Sequence, residues 1–441
     1  MLLLTSILIA VLLAIVVTYF LHTRKTYEFF KRLNIPGSSP IFFFGNFFDL
    51  VRNKRTSISI KQYTEKYGRI FGYFEGHTPI LVVSDPDVIQ DIFIKSFSNF
   101  HSHRAFPLDE QHSKQVHLFY AIGLRWKRQR LIINPIFSST KLKQMSPMIH
   151  RCINMFMKKI IEEYNKGQSF DIYPYFKRFA MDTLWSCVFG IDTDMQNNIN
   201  DPSLIFSQCY FEEQNSAKVL VLLSLFIKEL NYVWIKLRHI NSFIRYWLRR
   251  IFPFTNNYIQ EEPYTWIIRE AYKIIDEHQQ NNLTNRADVI KLMLESVSNE
   301  DFIQDDQPST MKKEQKDDVV AGYETTSTAL SYISYILATH PNEQVKLQEN
   351  IDAYFNPETD EDDILSYDAI SQIEYLDMFI RETLRMYPIA PVVINRQSTE
   401  ELNIKNIGTI PVGTCVAVDM YGLHFDPDLW GPVDPHIQGV T

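Results

Sequence analysis

The chain has 441 residues, 45% hydrophobic and 22% charged, a composition that fits a packed globular protein and excludes a disordered one. Its 44 Lys and Arg stand against 52 Asp and Glu, and a net charge of -8 argues against a broad nucleic-acid surface. Four cysteines (Cys152, Cys187, Cys209 and Cys415) are too few and too scattered for a disulfide framework, and no pair has the CxxC spacing of a structural zinc site.

Leu2 to Leu21 carries no charge and is long enough to cross a bilayer core as a helix, which needs about 20 residues. His22, Arg24, Lys25, Lys31 and Arg32 follow, so the positive-inside rule puts the remainder on the cytosolic side. A cleaved signal peptide would need a small-residue exit, and Thr18-Tyr19-Phe20-Leu21 has none. Residues 1–22 therefore read as a transmembrane anchor. Residues 23–40 read as a basic, Pro-rich linker ending in the stiff elbow Asn34-Ile35-Pro36-Gly37-Ser38-Ser39-Pro40.

Arg69 to Phe74 and Ile80 to Val83 flank a turn-like Glu75–Pro79 and predict a hairpin. From Pro86 to about Leu384 the pattern is mostly helical, with breaks expected at prolines such as Pro147, Pro174, Pro202 and Pro341. Val219–Ile227 is apolar but too short to span a membrane, and Phe243–Arg250 is basic and aromatic. Both fit either a headgroup-layer contact or a buried helix. The acidic run Asp360–Asp363 reads as a solvated loop. Strands are expected again at Val392–Arg396, Glu401–Ile404 and Thr414–Asp419. Residues 41–441 thus form one large, mainly α domain with a small β region drawn from both ends of the chain.

Three constellations could carry chemistry. In Arg381-Glu382-Thr383-Leu384-Arg385, Glu382 and Arg385 share a helix face and can pair, although an exposed surface pair is the common outcome of such spacing. In Ala321-Gly322-Tyr323-Glu324-Thr325-Thr326, the small residues would let a flat ligand approach the backbone, and an acid beside a hydroxyl can relay a proton. A packing glycine beside a solvent-facing Glu is the plainer alternative. Trp126 and Arg130 lie one helical turn apart and suit a buried carboxylate, or simply an amphipathic helix.

Taken together and in this order, behind an anchor and a Pro-rich elbow, these motifs resemble the haem-thiolate monooxygenases of the cytochrome P-450 family. The nearest likeness is the microsomal family 3 branch, which oxidises steroids and drugs. Phe29-Phe30-Lys31-Arg32-Leu33-Asn34-Ile35-Pro36-Gly37, Tyr375-Leu376-Asp377-Met378 and His424-Phe425-Asp426-Pro427-Asp428-Leu429-Trp430 add to the likeness. The resemblance implies a haem cofactor, electrons from NADPH through a reductase, and an apolar small-molecule substrate. It also implies a single-pass protein of the endoplasmic reticulum membrane with a cytosolic catalytic domain. Trp126, Arg130, Arg104 and Arg396 would contact the haem propionates. Ala321 and Gly322 would line the haem, Thr325 would steady the oxygen-derived group, and Glu324 would help deliver protons. Glu382 and Arg385 would lock the core without taking part in chemistry.

Two departures stand out. The family's haem ligand is a Cys in an F-x-x-G-x-R-x-C-x-G loop, and no cysteine here fits. Cys415 has Pro411 and Gly413 where Gly and Arg are required, and lies on an expected strand. The likeness fades at Pro435-His436, so the domain reads as truncated before the Cys loop, without a metal ligand and inactive as given. The charged run Lys312-Lys313-Glu314-Gln315-Lys316-Asp317-Asp318 also meets the central helix where an apolar stretch belongs, and burying it beside a haem would be costly. Both departures suggest a mis-assembled or alternatively spliced coding segment. The competing expectation is a non-catalytic membrane-anchored relative that binds lipid or a protein partner. A helical receptor ranks last, because only one spanning segment is evident.

Overall fold

The computed structural model describes residues 2–53, 55–104, 108, 118–215, 219–259, 261–263, 265–267, 269–270, 273–274, 276, 318–355 and 365–431. The charge run at 312–317, the acidic run Asp360–Asp363 and Pro435-His436 lie outside the described residues.

In chain order, α1 (Leu2–Tyr27), α2 (Phe29–Arg32), α3 (Phe47–Arg52) and α4 (Thr56–Tyr67) precede the hairpin β1 (Ile70–Glu75) and β2 (Thr78–Val83). Next come α5 (Pro86–Gln90), which continues into a π-helical turn at Asp91–Lys95, then α6 (Gly123–Ile133), α7 (Ser139–Asn165), α8 (Tyr173–Phe189) and α9 (Pro202–Asn215). They are followed by α10 (Val219–Phe226), α11 (Asn231–Ile251), α12 (Asp318–Thr339), α13 (Pro341–Tyr354), α14 (Tyr367–Ile370) and α15 (Glu374–Met386). The chain then forms β3 (Asn395–Gln397), β4 (Leu402–Ile404), β5 (Gly408–Ile410), β6 (Cys415–Val418), α16 (Met420–His424) and α17 (Pro427–Trp430).

These elements fall into two compact units. The first comprises Met1–Gln111, Ala217–Asn241 and Ala390–Thr441, and the second His112–Ser216 and Ser242–Ile389.

The first unit is built on a four-stranded sheet of order β1-β2-β6-β3. The hairpin register runs from Ile70↔Val83 to Glu75↔Thr78, and β2 pairs in parallel with β6 from Ile80↔Cys415. Both ends of the chain therefore meet in one sheet, as expected. Successive side chains point to opposite faces. Phe74, Leu81, Val83, Val416 and Val418 pack with Phe30, Val88 and Ile92 on one side. Phe71, Tyr73, Ile80, Val82 and Cys415 pack with Leu50, Ile60 and Tyr63 on the other. Burial on both faces explains why these strands read as continuous apolar runs. Gly72 sits under the Phe30 ring, where a Cβ would lie 2.3 Å from Phe30 Cγ. The Pro-rich elbow is part of this unit: Gly72 N–H donates to the Pro36 carbonyl at 2.8 Å, and Gly37 bridges Gly72. The short β5 escaped sequence reading, since three residues carry almost no periodicity.

α1 is, among the described residues, the one helix long and apolar enough to cross a membrane. Its apolar side chains from Leu3 to Leu21 are largely exposed. The end of α10 is buried, with Phe226 packed edge-on against Phe44 and Phe47 and tilted against Phe43. α11 behaves differently: it has no buried residue, and Phe243, Ile244, Tyr246 and Trp247 are exposed beside Arg249 and Arg250. Of the two sequence readings, the buried helix therefore fails for α11.

In the second unit α12 packs along α8, with Tyr323 buried among Met181, Met195 and Leu204. α7 packs on α8 through Met145, Met148 and Cys187. Ile336, Leu347 and Phe379 join α12, α13 and α15. The break expected at Pro147 is absent, and α7 runs through it. A mid-helix proline costs about 3 kcal/mol, and the apolar face of α7 on either side of it offsets that loss by packing. α8 ends where Gly190 turns left-handed at φ 66, its N–H donating to the Ser186 carbonyl at 3.1 Å. α12 ends at Thr339, because Pro341 follows and keeps His340 out of the helical conformation.

Candidate functional site

In the first unit, residues 99–104 run beside β3. Thr399 N–H donates to the Asn99 carbonyl at 2.9 Å, Gln397 N–H to the Ser102 carbonyl at 3.2 Å, and Arg104 N–H to Asn395 Oδ1 at 3.1 Å. This pinning separates the two neighbours His103 and Arg104. The Arg104 guanidinium meets Glu75 Oε2 at 2.6 Å, and the Tyr73 hydroxyl donates to Glu75 Oε1 at 2.8 Å. Burial works against the Arg104 charge, but Glu75 outweighs it and the guanidinium is held protonated more firmly than usual. Cys415 lies in the same buried patch, and burial pushes its thiol up to about 12.

His103 turns to Arg396 instead. Arg396 Nη1 lies 3.2 Å from His103 Nδ1 and 3.4 Å from Nε2, and donates to the Asn395 carbonyl at 2.9 Å. The guanidinium also sits 5.9 Å from the centre of the Phe93 ring. Arg396 has no carboxylate partner among the described residues, and its buried Nε has no hydrogen-bond partner. Burial, followed by the Arg396 charge, lowers His103 to about 4.

In the second unit, Trp126 is half-buried and Arg130 exposed on α6, a helix that carries Arg125, Lys127 and Arg128 and no acid. On α12, Gly322 faces α8, where a Cβ would lie 3.1 Å from Leu184 Cδ2. Its missing side chain therefore serves helix packing, the plainer of the two sequence readings. Of Ala321 only the helical backbone is described. Thr325 is exposed. Glu324 is neither solvent-facing nor isolated: the Tyr173 hydroxyl donates to it at 2.5 Å and Lys177 Nζ lies 3.1 Å away. Lys177 also sits 4.6 Å from the Tyr173 ring centre. Tyr173 and Lys177 are four apart on α8, so they share a face. That spacing was available in the sequence, but nothing in the sequence paired it with Glu324.

The Glu382–Arg385 pair forms as expected. It is a fork, with Arg385 Nε to Glu382 Oε2 at 2.7 Å and Nη2 to Oε1 at 2.6 Å. The Arg385 side chain is 15% exposed and that of Glu382 53%.

Three of the four cysteines are buried thiols. Burial raises Cys152 and pushes Cys187 up to about 12, and Cys209 is half-buried on α9. No group of three or more His, Cys, Asp or Glu gathers for a metal among the described residues.

A sheet assembled from both chain ends, a long central helix bearing A-G-x-E-T-T and an E-x-x-R fork behind an apolar N-terminal helix define a class: the chain belongs to the cytochrome P450 family, whose model matches residues 35–436. It is 32% identical to cytochrome P450 3A28 of Bos taurus over 429 residues, covering 94% of this chain and 77% of the relative. It is 32% identical to cytochrome P450 3A29 of Sus scrofa over 428 residues, covering 94% and 77%. Against cytochrome P450 3A5 of Homo sapiens it is 30% identical over 419 residues, covering 94% and 78%. Members of this family are monooxygenases that use haem iron and electrons from NADPH through a reductase. The residues present fit part of that cofactor. Arg396, a half-buried guanidinium with no carboxylate partner among the described residues, suits a haem carboxylate, whereas none of the four cysteines lies in the pattern of the family's ligand loop.

Proposed function

We propose that the chain carries the scaffold of a haem monooxygenase that oxidises an apolar small molecule, fed by an NADPH-dependent reductase. The observation that carries this reading is the family match across residues 35–436. Bound haem supplies the oxidising chemistry. Arg396, and separately Trp126 and Arg130 on α6, would be the donors to its carboxylates. Gly322 lets α12 pack closely on Leu184 of α8, and the small Ala321 would leave room for a flat ligand. Thr325 orients a hydrogen bond from the exposed side of α12, and Glu324 holds a proton-exchanging carboxyl between Tyr173 and Lys177. Glu382 and Arg385 stiffen α15.

In our reading residues 1–22 anchor the chain in the endoplasmic reticulum membrane, 23–40 form the linker and 41–441 form the cytosolic domain. α11 offers lipid headgroups an aromatic and basic surface through Phe243, Trp247, Arg249 and Arg250.

We further infer that these 441 residues do not by themselves run the reaction, because none of their four cysteines lies in the F-x-x-G-x-R-x-C-x-G pattern that supplies the family's thiolate ligand. The test is the absorption spectrum of the expressed chain, loaded with haem, reduced and exposed to carbon monoxide. A haem spectrum without the thiolate-type Soret band is expected. A thiolate-type band together with substrate turnover would overturn the inference.

A further inference from the structure

We propose that His77, at the tip of the β1–β2 hairpin, is a proton-operated latch on α1. Neutral His77 holds the end of α1 against the hairpin, and a second proton on its ring releases it. The proposal is independent of the haem reading.

Several segments of the first unit meet at this tip. From α1, the Tyr27 hydroxyl donates to the Gly76 carbonyl at 3.3 Å, and the Tyr19 hydroxyl lies 3.4 Å from His77 Nδ1. Tyr19 stands near the end of the uncharged run Leu2–Leu21, so the contact sits where the apolar part of α1 stops. A 3-10 turn, Lys228–Leu230, follows α10. Its Glu229 Oε1 approaches His77 Nδ1 to 3.5 Å, and Lys228 Nζ donates to the His77 carbonyl at 3.4 Å. The Phe43 and Tyr27 rings stand edge-on to the imidazole, with centres 5.8 and 6.0 Å away. The tip is tightly seated: at Gly76, with φ 56, a Cβ would lie 2.2 Å from the Leu225 carbonyl oxygen.

The imidazole is fully buried, and its two nitrogens have unequal surroundings. Nδ1 faces a carboxylate and a hydroxyl, whereas Nε2 is buried with no hydrogen-bond partner among the described residues. One proton suits this setting, since an N–H on Nδ1 points at Glu229 and Nε2 keeps a bare lone pair. A second proton would place an N–H on Nε2 with no acceptor, which costs free energy. The charged or titratable groups facing His77 are Glu229 and Lys228 of the turn and Tyr19, His22 and Tyr27 of α1. Glu229 favours the second proton, and Lys228 and His22 oppose it. His22 Nε2 also lies 4.0 Å from the same Glu229 oxygen and competes for it. Burial outweighs Glu229 and holds His77 below the ordinary histidine value. When α1 and the turn part, water reaches the ring and the ordinary value returns. The released state therefore binds the proton more tightly. The latch is closed above about pH 6.5 and opens as pH falls below it. With the latch open, α1 remains joined to the sheet through Glu28 and α2, which buried Phe30 keeps in place.

The test measures the distance between two spin labels on the haem-free full chain in phosphatidylcholine vesicles. The labels are carried at the exposed positions Leu21→Cys and Lys66→Cys, with Cys209→Ser. A single docked distance is expected at pH 7.5. From pH 6.5 to pH 5.5 the ratio of docked to released chains should fall by up to about tenfold, the limit that one proton sets over one pH unit. His77→Gln and His77→Phe should both stay docked at pH 5.5. Glu229→Gln should steepen the response, because the group favouring the second proton is gone. His22→Gln should leave the response in place. Amide exchange at residues 80–83, which pair with β6, should stay slow throughout. A pH-independent distance in the parent chain would overturn the latch. So would a response that survives in both His77 variants, or one lost in His22→Gln. Exchange at residues 80–83 that rises in step with release of α1 would also overturn it, because the whole sheet would then be opening.

Discussion

Arg104 and Glu75 form a 2.6 Å ion pair in which each side chain is less than a fifth exposed, at 19% and 16%. It links the end of β1 to the segment that runs beside β3. Removing one partner leaves a buried charge uncompensated, whereas removing both does not. Glu75→Gln alone should lower stability by about 3 kcal/mol, and Arg104→Gln added to it should recover much of the loss. Chemical denaturation of the three variants measures the coupling, and strictly additive losses would exclude it.

His103 gives the protein an acid-sensitive element. Its folded value of about 4 lies below the ordinary value of about 6.5, so the unfolded chain takes up the proton first. Stability should be full above about pH 6.5 and decline as pH falls from there toward about 4. His103→Gln should remove that part of the acid sensitivity, as should Arg396→Gln in part. Denaturation midpoints of the haem-free chain at pH 7, 6 and 5 provide the comparison.

Burial of Cys152, Cys187 and Cys415 predicts that native chain reacts slowly with a thiol reagent at three positions and fastest at Cys209. Mass spectrometry after brief alkylation at pH 8 identifies the labelled residue. Rapid modification of Cys415 in folded protein would contradict its place inside the sheet.

Glu324 ties α12 to α8 through Tyr173 and Lys177. Tyr173→Phe removes one hydrogen bond to a carboxylate and should cost about 1–2 kcal/mol. Glu324→Gln should cost a similar amount, and the pair of changes less than the sum. Thermal unfolding of the single and double variants tests whether this acid has a structural task.

The Glu382–Arg385 fork is lopsided in exposure, and that decides the cost of breaking it. Glu382→Ala removes a half-exposed carboxylate and should cost about 1 kcal/mol or less. Arg385→Ala also removes a buried aliphatic stem and should cost more. Denaturation midpoints rank the two.

Much of the fold was legible in the residues. The charge-free run at Leu2–Leu21, the β1–β2 hairpin, the return of strands after Pro388 and the E-x-x-R spacing all act through neighbours in sequence. Their periodicity and caps therefore carry the information. Pro147 misled for the opposite reason, since packing of α7 on α8 outweighs a local breaker.

The site was legible as a set of residue types but not as a set of partners. The sequence by itself determined the family, the A-G-x-E-T-T and E-x-x-R motifs, and the absence of a cysteine in the required pattern. Only the tertiary structure decided that Gly322 faces Leu184, that Glu324 is held by α8, and that Arg104 belongs to Glu75 while His103 belongs to Arg396. These pairings join residues far apart in the chain, as in Glu75 with Arg104 and His103 with Arg396. The energy of a charge depends on what surrounds it after folding, and no local pattern encodes that.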